Sequence, residues 1–391
     1  MKYFQVITKP VGDKCNILCT YCFYTNKNEE PVIQGKKNCF HMDDETLHAY
    51  VKSYIEDNGS QEVEFIWQGG EPTLAGVSFY EKVISLQKKY GGEKIIKNSI
   101  QTNGVLIDEV WAFFLKKNNF MVGISIDGPK YLHDEYRKNT ANNSVFKKVV
   151  NAINLLNKHD IKFNVLTVVN KKNVNHPIET YDFLTKELGV KHIQFIPLVD
   201  VKQSKIDGRN ESAPWSITGD EFGRFTNAVF DKWISIDVGN VYIQFFENIF
   251  AGWLGVKPSL CTMQSTCGKG LVVERNGAIY CCDHYVDPEH LLGNIKESRL
   301  SKIVKSKQHQ LFGMKKAALT KKCQACEFKF LCHGGCPKHR FKNSTQQWEN
   351  HLCSGYKAIF THVQPFMVRM VHLVESGKPP SRIMLDIKHH I

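Results

Sequence analysis

No stretch of the chain runs for about eighteen apolar residues, so no membrane-spanning helix is expected. The apolar run from Tyr3 to Ile7, between Lys2 and Lys9-Pro10, is too short for a secretion signal, and a cytoplasmic location is expected. The composition is neither collagenous nor broadly disordered. Also missing is a basic stripe with interleaved aromatic residues, the footprint of a nucleic-acid groove. The formal charge is +12, but the basic residues fall in scattered pairs such as Lys36-Lys37, Lys88-Lys89, Lys116-Lys117 and Lys147-Lys148. These read as a solvated surface, and neither nucleic acid nor a membrane is expected as a partner. Cysteine, by contrast, is plentiful: thirteen in 391 residues. Hydrophobic residues make up 42%, enough for one large domain and a smaller one. In a reducing compartment such thiols are not a disulfide framework, which leaves metal or redox use.

Three of the thiols, Cys15, Cys19 and Cys22, stand in a C-x3-C-x2-C pattern. Three thiolates hold three irons of a 4Fe–4S cubane and leave the fourth open, whereas a cluster used only for electron transfer is usually closed by a fourth thiolate. An open metal position is where a ligand binds and chemistry starts. Tyr21, Phe23 and Tyr24 can shield such a cluster from water. On spacing alone, a zinc site or unrelated core cysteines stay open as alternatives.

The pattern along the chain predicts where these thiols sit. Residues 3–8 alternate and read as a strand feeding the cysteine loop. Residues 26–41 are polar and read as a loop; Met42-Asp43-Asp44-Glu45 then opens a helix, with acids where the helix dipole favours them. Further strands are predicted over 63–67, 95–100, 121–126, 161–169 and 192–198. Helices are predicted over 78–90, from Asp108, after an Asn142-Asn143-Ser144 cap, and over 175–188. Strands alternating with helices imply a parallel sheet with crossover helices. The predicted fold class is therefore α/β, a partial (β/α)6 barrel whose site lies at the C-terminal ends of the strands. The cysteine loop, Gln68-Gly69-Gly70-Glu71-Pro72 and Gln101-Thr102-Asn103-Gly104 all fall at such ends. Gly69-Gly70 lets backbone approach a ligand closely. A strand edge there can hydrogen-bond the amino group of an amino-acid ligand, with the Glu71 carboxylate nearby. A tight turn is the alternative reading.

Residues 200–240 read as a connector with some helix. Beyond them, Cys261 and Cys267 precede an apolar run over 271–274, Asn276-Gly277, and a second run over 279–282. Asn-Gly between two β runs is a strong hairpin signal, and the hairpin returns Cys282 toward Cys267. Cys323, Cys326, Cys332, Cys336 and Cys353 follow. Alone, C-x2-C…C-x3-C also suits a zinc ribbon. Eight clustered cysteines make two four-ligand sites the natural arithmetic. Three clusters on eleven thiolates would remove roughly five of the positive charges, since coordinating thiols are deprotonated.

The three-cysteine motif, with an aromatic just before its last Cys and Gly-Gly-Glu-Pro one strand later, resembles the radical S-adenosylmethionine (SAM) enzymes over residues 1 to about 200. The cysteine-rich half resembles the twin-cluster SPASM domain. Cys-Thr-Tyr-Cys-Phe-Tyr, Gln-Gly-Gly-Glu-Pro-Thr-Leu-Ala-Gly, Gln-Thr-Asn-Gly-x-Leu-Ile-Asp, Ser-Ile-Asp-Gly-Pro and Cys282-Asp283 together resemble the anaerobic sulfatase-maturating enzymes across nearly the whole chain. That resemblance implies three 4Fe–4S clusters and SAM as cofactors. It puts the SAM-binding cluster on Cys15, Cys19 and Cys22. It puts a first auxiliary cluster on Cys261, Cys267, Cys282 and Cys336, and a second on Cys323, Cys326, Cys332 and Cys353. Tyr21, Gly70, Ser125, Arg137 and Val199 match SAM-contacting positions. Cys39 and Cys281 are left as ordinary thiols.

The same resemblance divides the chain into a radical SAM partial barrel (1–235), a C-terminal iron–sulfur cluster domain (236–360), and a C-terminal helix with a basic tail (361–391). It implies a monomeric oxidoreductase that converts a Cys or Ser of a partner sulfatase to formylglycine, reduced by a donor such as flavodoxin or ferredoxin. A SAM-derived radical takes hydrogen from Cβ; loss of a proton and one more electron then gives the thioaldehyde or aldehyde. Asp283, beside Cys282, is the expected base, with a turn-capping aspartate as the alternative. Tyr24 and Gln101 are expected to orient the peptide, or else to be packing or turn residues. Another SPASM-type peptide maturase would share almost every motif. A non-catalytic iron–sulfur carrier would share the cysteines but would not need Gly-Gly-Glu-Pro.

Overall fold

A computed structural model describes residues 3–24, 40–203, 210–268, 270–342 and 347–388. Cys39 and most of the loop expected over 26–41 lie outside the described residues. The chain forms two compact units that alternate along the sequence. The first comprises Met1–Ser125, Tyr136–Phe163 and Cys267–Met314; the second comprises Ile126–Glu135, Asn164–Thr266 and Lys315–Ile391.

In the first unit the strand Gln5–Lys9 runs parallel to both of its neighbours, with Val6 opposite Phe65 of Glu62–Trp67 and Leu271 of Gly270–Glu274. Glu62–Trp67 continues the parallel order into Ile95–Thr102, and that strand into Met121–Ser125. Val6, Phe65, Trp67, Ile100, Val122 and Ile124 are all buried, as strands covered on both faces require. The helices Asp44–Asp57, Val77–Gly91, Glu109–Lys117 and Phe146–Lys158 alternate with these strands. Asp43 accepts from Thr46 N at 2.7 Å and Asp108 from Trp111 N at 2.9 Å, so both helices carry the side-chain caps their sequences promise.

The cap expected at Asn142-Asn143-Ser144 takes a different form. Asn142 lies in the left-handed region (φ 61°) within a turn that Asn139 Oδ1 ties through the Ala141 and Asn143 N–H groups. The helix then starts at Phe146 without a side-chain cap, and Ser144 Oγ accepts from Phe146 N at 3.3 Å.

The Asn276-Gly277 hairpin forms as read. Gly277 takes φ +85° and donates to Glu274 O at 2.8 Å. Val272 then faces Tyr280, and the chain returns toward the Cys267 end of the strand.

Three further strands run parallel in chain order, Phe163–Val169 pairing with His192–Pro197 and that strand with Tyr242–Ile243. Residues 200–240 are richer than a connector. Gly219–Ile236 is an 18-residue helix capped by a reciprocal Thr218–Glu221 box. It packs on the helix Cys353–Glu375, where a Cβ at Gly355 would fall on the Gly219 carbonyl. Gly219, Gly223 and Gly355 are what let these two backbones touch. Among the described residues no helix is long and apolar enough to cross a membrane.

Candidate active site

The loop after Gln5–Lys9 carries Cys15, Cys19 and Cys22, all partly buried. It is built from consecutive tight turns, Gly12 N to Lys9 O, Lys14 N to Val11 O and Cys22 N to Cys19 O. A short strand, Ile17–Cys19, pairs antiparallel with Arg137–Asn139, with Cys19 opposite Arg137. Arg137 is buried, lies over the Tyr21 ring at 5.4 Å and puts Nη1 3.9 Å from Cys19 Sγ. Burial pushes the Cys15 thiol up to about 11, with the charges of Glu71 and Cys22 adding to it and bonds from Ile17 N and Asn103 opposing it.

Gly70 and Glu71 lock this loop onto the end of Glu62–Trp67. Gly70 N donates to Gly12 O and Glu71 N to Lys14 O, both at 2.8 Å. A Cβ on Gly70 would land on the Lys14 carbonyl oxygen. The glycine therefore admits the cluster loop itself, a physical reason for its presence beyond approach to a ligand. Glu71 is also more than a carboxylate near a ligand. It is fully buried, and accepts from Thr73 N at 3.0 Å, Thr73 Oγ1 at 2.6 Å, Thr102 Oγ1 at 2.7 Å and Asn103 N at 2.7 Å. Burial raises it above the ordinary carboxylate range, against the lowering by these bonds. It ties the Gly-Gly-Glu-Pro end to the Gln-Thr-Asn-Gly end.

Gly70→Ala is expected to cost about 1–3 kcal/mol by overpacking, read as a lowered thermal midpoint together with lost iron. Gly270→Ala is the control, because a Cβ there meets nothing within 4 Å.

Asp283 lies in the same unit. Its Oδ2 accepts from Gln68 Nε2 at 3.0 Å, and its Oδ1 pairs with the Lys9 ammonium. The Lys9 side chain is 1% exposed and that of Asp283 13%. The Lys9 Nζ also sits 4.5 Å from the centre of the Tyr24 ring. The buried Tyr24 phenol donates to both oxygens of Glu274 at 2.7 Å, while Phe23 stacks on His284. Burial first, then Glu274, holds the Tyr24 phenol well above its ordinary range. Gln101 Nε2 donates to Ser125 Oγ at 3.1 Å. Cys281 is buried.

In the second unit, Cys323, Cys326, Cys332 and Cys353 line one cavity of about 470 Å³, open solvent at its mouth included, together with Phe328 and Tyr356. Burial pushes Cys332 up to about 11, and Cys353, Cys323 and Cys326 add to it, so the four thiols share one electrostatic site. Burial also raises Cys336, with Cys261 as the next contribution in that direction. Cys261 and Cys336 belong to this unit and Cys267 and Cys282 to the first. Val199, half-buried just after His192–Pro197, is in the second unit; Tyr21, Gly70, Ser125 and Arg137 are in the first.

Residues 10–184 match the Radical SAM superfamily and residues 261–327 the SPASM iron-sulfur cluster-binding domain. The chain is 40% identical to a serine-type anaerobic sulfatase-maturating enzyme of Bacteroides thetaiotaomicron, over 99% of this chain and 96% of that protein. It belongs to the anaerobic sulfatase-maturating enzymes. A cysteine-type member from Clostridium novyi is 36% identical over 92% of this chain and 95% of its own. A solved structure of native anSMEcpe with bound AdoMet and Cp18Cys peptide superposes with a TM-score of 0.85 at 33% identity, covering 95% of this chain and 100% of that one. The fold is thus the α/β radical SAM partial barrel with a C-terminal iron–sulfur domain, and the cofactors are 4Fe–4S clusters and SAM.

In this sulfatase-maturating enzyme the thiol groups fit their clusters on two grounds. Cys15, Cys332, Cys336 and Cys353, raised by burial, want a cationic partner, which iron supplies by deprotonating them outright. In the three-cysteine loop, Asn16 Nδ2 is also buried without a hydrogen-bond partner, a donor suited to an anionic group.

Sequence reasoning missed Lys9, Gln68 and Glu274. A signal existed: Lys9 and Glu274 are oppositely charged residues that each end an apolar strand, and the parallel register sets them opposite one another.

Proposed function

We propose that this enzyme oxidises a Cys or Ser side chain of a sulfatase polypeptide to formylglycine. The observation that carries the reading is the half-buried Asp283 carboxylate, held by Lys9 and Gln68 in the same unit as the three-cysteine loop. Cys15, Cys19 and Cys22 would hold the cluster that binds SAM. Cys261, Cys267, Cys282 and Cys336 would hold the first auxiliary cluster, and Cys323, Cys326, Cys332 and Cys353 the second. When bound and reduced, the first cluster and SAM supply a radical that removes hydrogen from Cβ of the substrate.

The chain's own residues do the rest. Tyr21, Gly70, Ser125, Arg137 and Val199 would surround SAM. Asp283 would take the proton released as the Cβ centre becomes a thioaldehyde or aldehyde, its oxygens aimed by Gln68 and Lys9. Tyr24 and Gln101 would present the peptide, with Tyr24 fixed through Glu274 and Gln101 through Ser125. The residual electron would leave through the auxiliary clusters. A flavodoxin- or ferredoxin-like donor would reduce the enzyme, which would act as a monomer in the cytoplasm.

Anaerobic incubation of the reconstituted enzyme with SAM, dithionite and Cys- or Ser-containing sulfatase peptides tests this by mass spectrometry. Aldehyde in at least one peptide, with matching 5′-deoxyadenosine, is the expected result. 5′-Deoxyadenosine without oxidation of either peptide would point to another peptide maturase.

A further inference from the structure

Asn103 is 7% exposed, and every group of its amide has a role. Its Oδ1 accepts from Val105 N at 3.0 Å, which fixes which end is oxygen and leaves Nδ2 facing the cysteine loop. That Nδ2 donates to Asn16 Oδ1 at 2.7 Å and lies 3.7 Å from Cys15 Sγ. Its backbone N–H is held by Glu71, which in turn binds Thr73 and Thr102. A fully buried carboxylate thus fixes the position from which a neutral N–H points at a cysteine sulfur.

We propose that Asn103 sets the reduction potential of the SAM-binding cluster, by donating an N–H···S hydrogen bond to the Cys15 thiolate. The inference rests on the reading of Cys15, Cys19 and Cys22 as ligands. Hydrogen bonds to cluster sulfurs are one of the protein's levers on cluster potential. The reduced cluster is the more negative state and gains more from a donor, so the bond raises the potential and eases reduction. Arg137 Nη1, 3.9 Å from Cys19 Sγ, is a second donor of the same kind. Asn103 is the cleaner test, since Arg137 is also proposed to contact SAM.

The experiment is an anaerobic redox titration of the full reconstituted chain, followed by electron paramagnetic resonance. The signal used is the component that SAM perturbs and that the Cys15/Cys19/Cys22→Ala variant lacks. Asn103→Ala removes the donor; Asn103→Asp keeps the shape and the backbone bond to Glu71 but replaces the donor with an acceptor. Both are expected to hold parental iron. Both are expected to lower the ratio of reduced to oxidised cluster about tenfold at a fixed potential, a midpoint shift of about 59 mV for a one-electron couple. Asn103→Asp should shift at least as far as Asn103→Ala. With a reductant poised near the parental midpoint, 5′-deoxyadenosine formation should slow, and a large excess of a stronger reductant should restore it. Full iron with an unmoved midpoint in Asn103→Asp overturns the proposal. So does iron loss in both variants, which would make Asn103 a structural tie. A triple-cysteine variant that keeps the SAM-perturbed signal would overturn the ligand reading instead, so the two failures are distinct.

Discussion

A chain carrying Cys15→Ala, Cys19→Ala and Cys22→Ala together is expected to make no 5′-deoxyadenosine under any reductant, while still holding about eight irons against about twelve for the parent. The loss should be complete because all three thiols proposed to hold that cluster hang on one short loop and all three are removed. Around that loop, Asn103 and Arg137 offer N–H groups, while Glu71 is spent on Thr73, Thr102 and Asn103. The remaining irons should survive, since the thiols proposed for the two auxiliary clusters all lie at Cys261 and beyond, outside the mutated loop. Iron and zinc analysis on the same anaerobic sample checks both halves. Stoichiometric zinc in the variant would show that Cys323, Cys326, Cys332 and Cys353 serve a zinc ribbon and not a cluster. Undiminished 5′-deoxyadenosine would remove the three-cysteine loop from the chemistry.

The parts of this site legible in the sequence are those whose chemistry is local. Cys15, Cys19 and Cys22 announce themselves by spacing, and the Asn276-Gly277 turn by the positive φ it needs. The parallel strands read correctly because each is a short apolar run between helical periods, and Glu62–Trp67 and Ile95–Thr102 began within a residue of their predicted starts. What stayed hidden depends on partners distant in sequence. Lys9 meets Asp283 and Glu274 only through the parallel register of Gln5–Lys9 with Gly270–Glu274. Glu71 looked like a ligand-facing carboxylate because nothing local says that Thr102 and Asn103 will bury it. Residues 200–240 read as a connector with some helix, and the bounds of Gly219–Ile236 were not read, although Thr218 and Glu221 write a capping box there. There tertiary packing, with Gly355 against Gly219, overrides helix propensity.

Asp283→Asn is expected to lower peptide oxidation on the order of 10²- to 10⁴-fold, the range for removing a positioned base, while 5′-deoxyadenosine formation continues. The amide keeps the shape and can still accept from Gln68, but it cannot take a proton. It also strips the Lys9 ammonium of its counter-charge. Lys9 is 1% exposed, and leaving one partner of a buried ion pair unpaired costs about 3–5 kcal/mol. The single variant therefore mixes two effects, lost base and lost stability, and a low rate alone would not separate them. The double variant Lys9→Met with Asp283→Asn does. Removing both charges should recover most of the thermal midpoint, because the apolar chain of Met fills the space of the lysine stem beside Tyr24. Peptide oxidation should stay down, because the base is still missing. Iron must be counted in each sample, since Cys282 is the adjacent residue and a lost auxiliary cluster would also stop turnover. If the double variant is stable, holds parental iron and oxidises peptide at near-parental rates, the Asp283 carboxylate is no base. Its pairing with Lys9 would then be purely a matter of folding, and the proton acceptor would have to be sought among the other buried carboxylates of the unit, beginning with Glu274 beneath Tyr24.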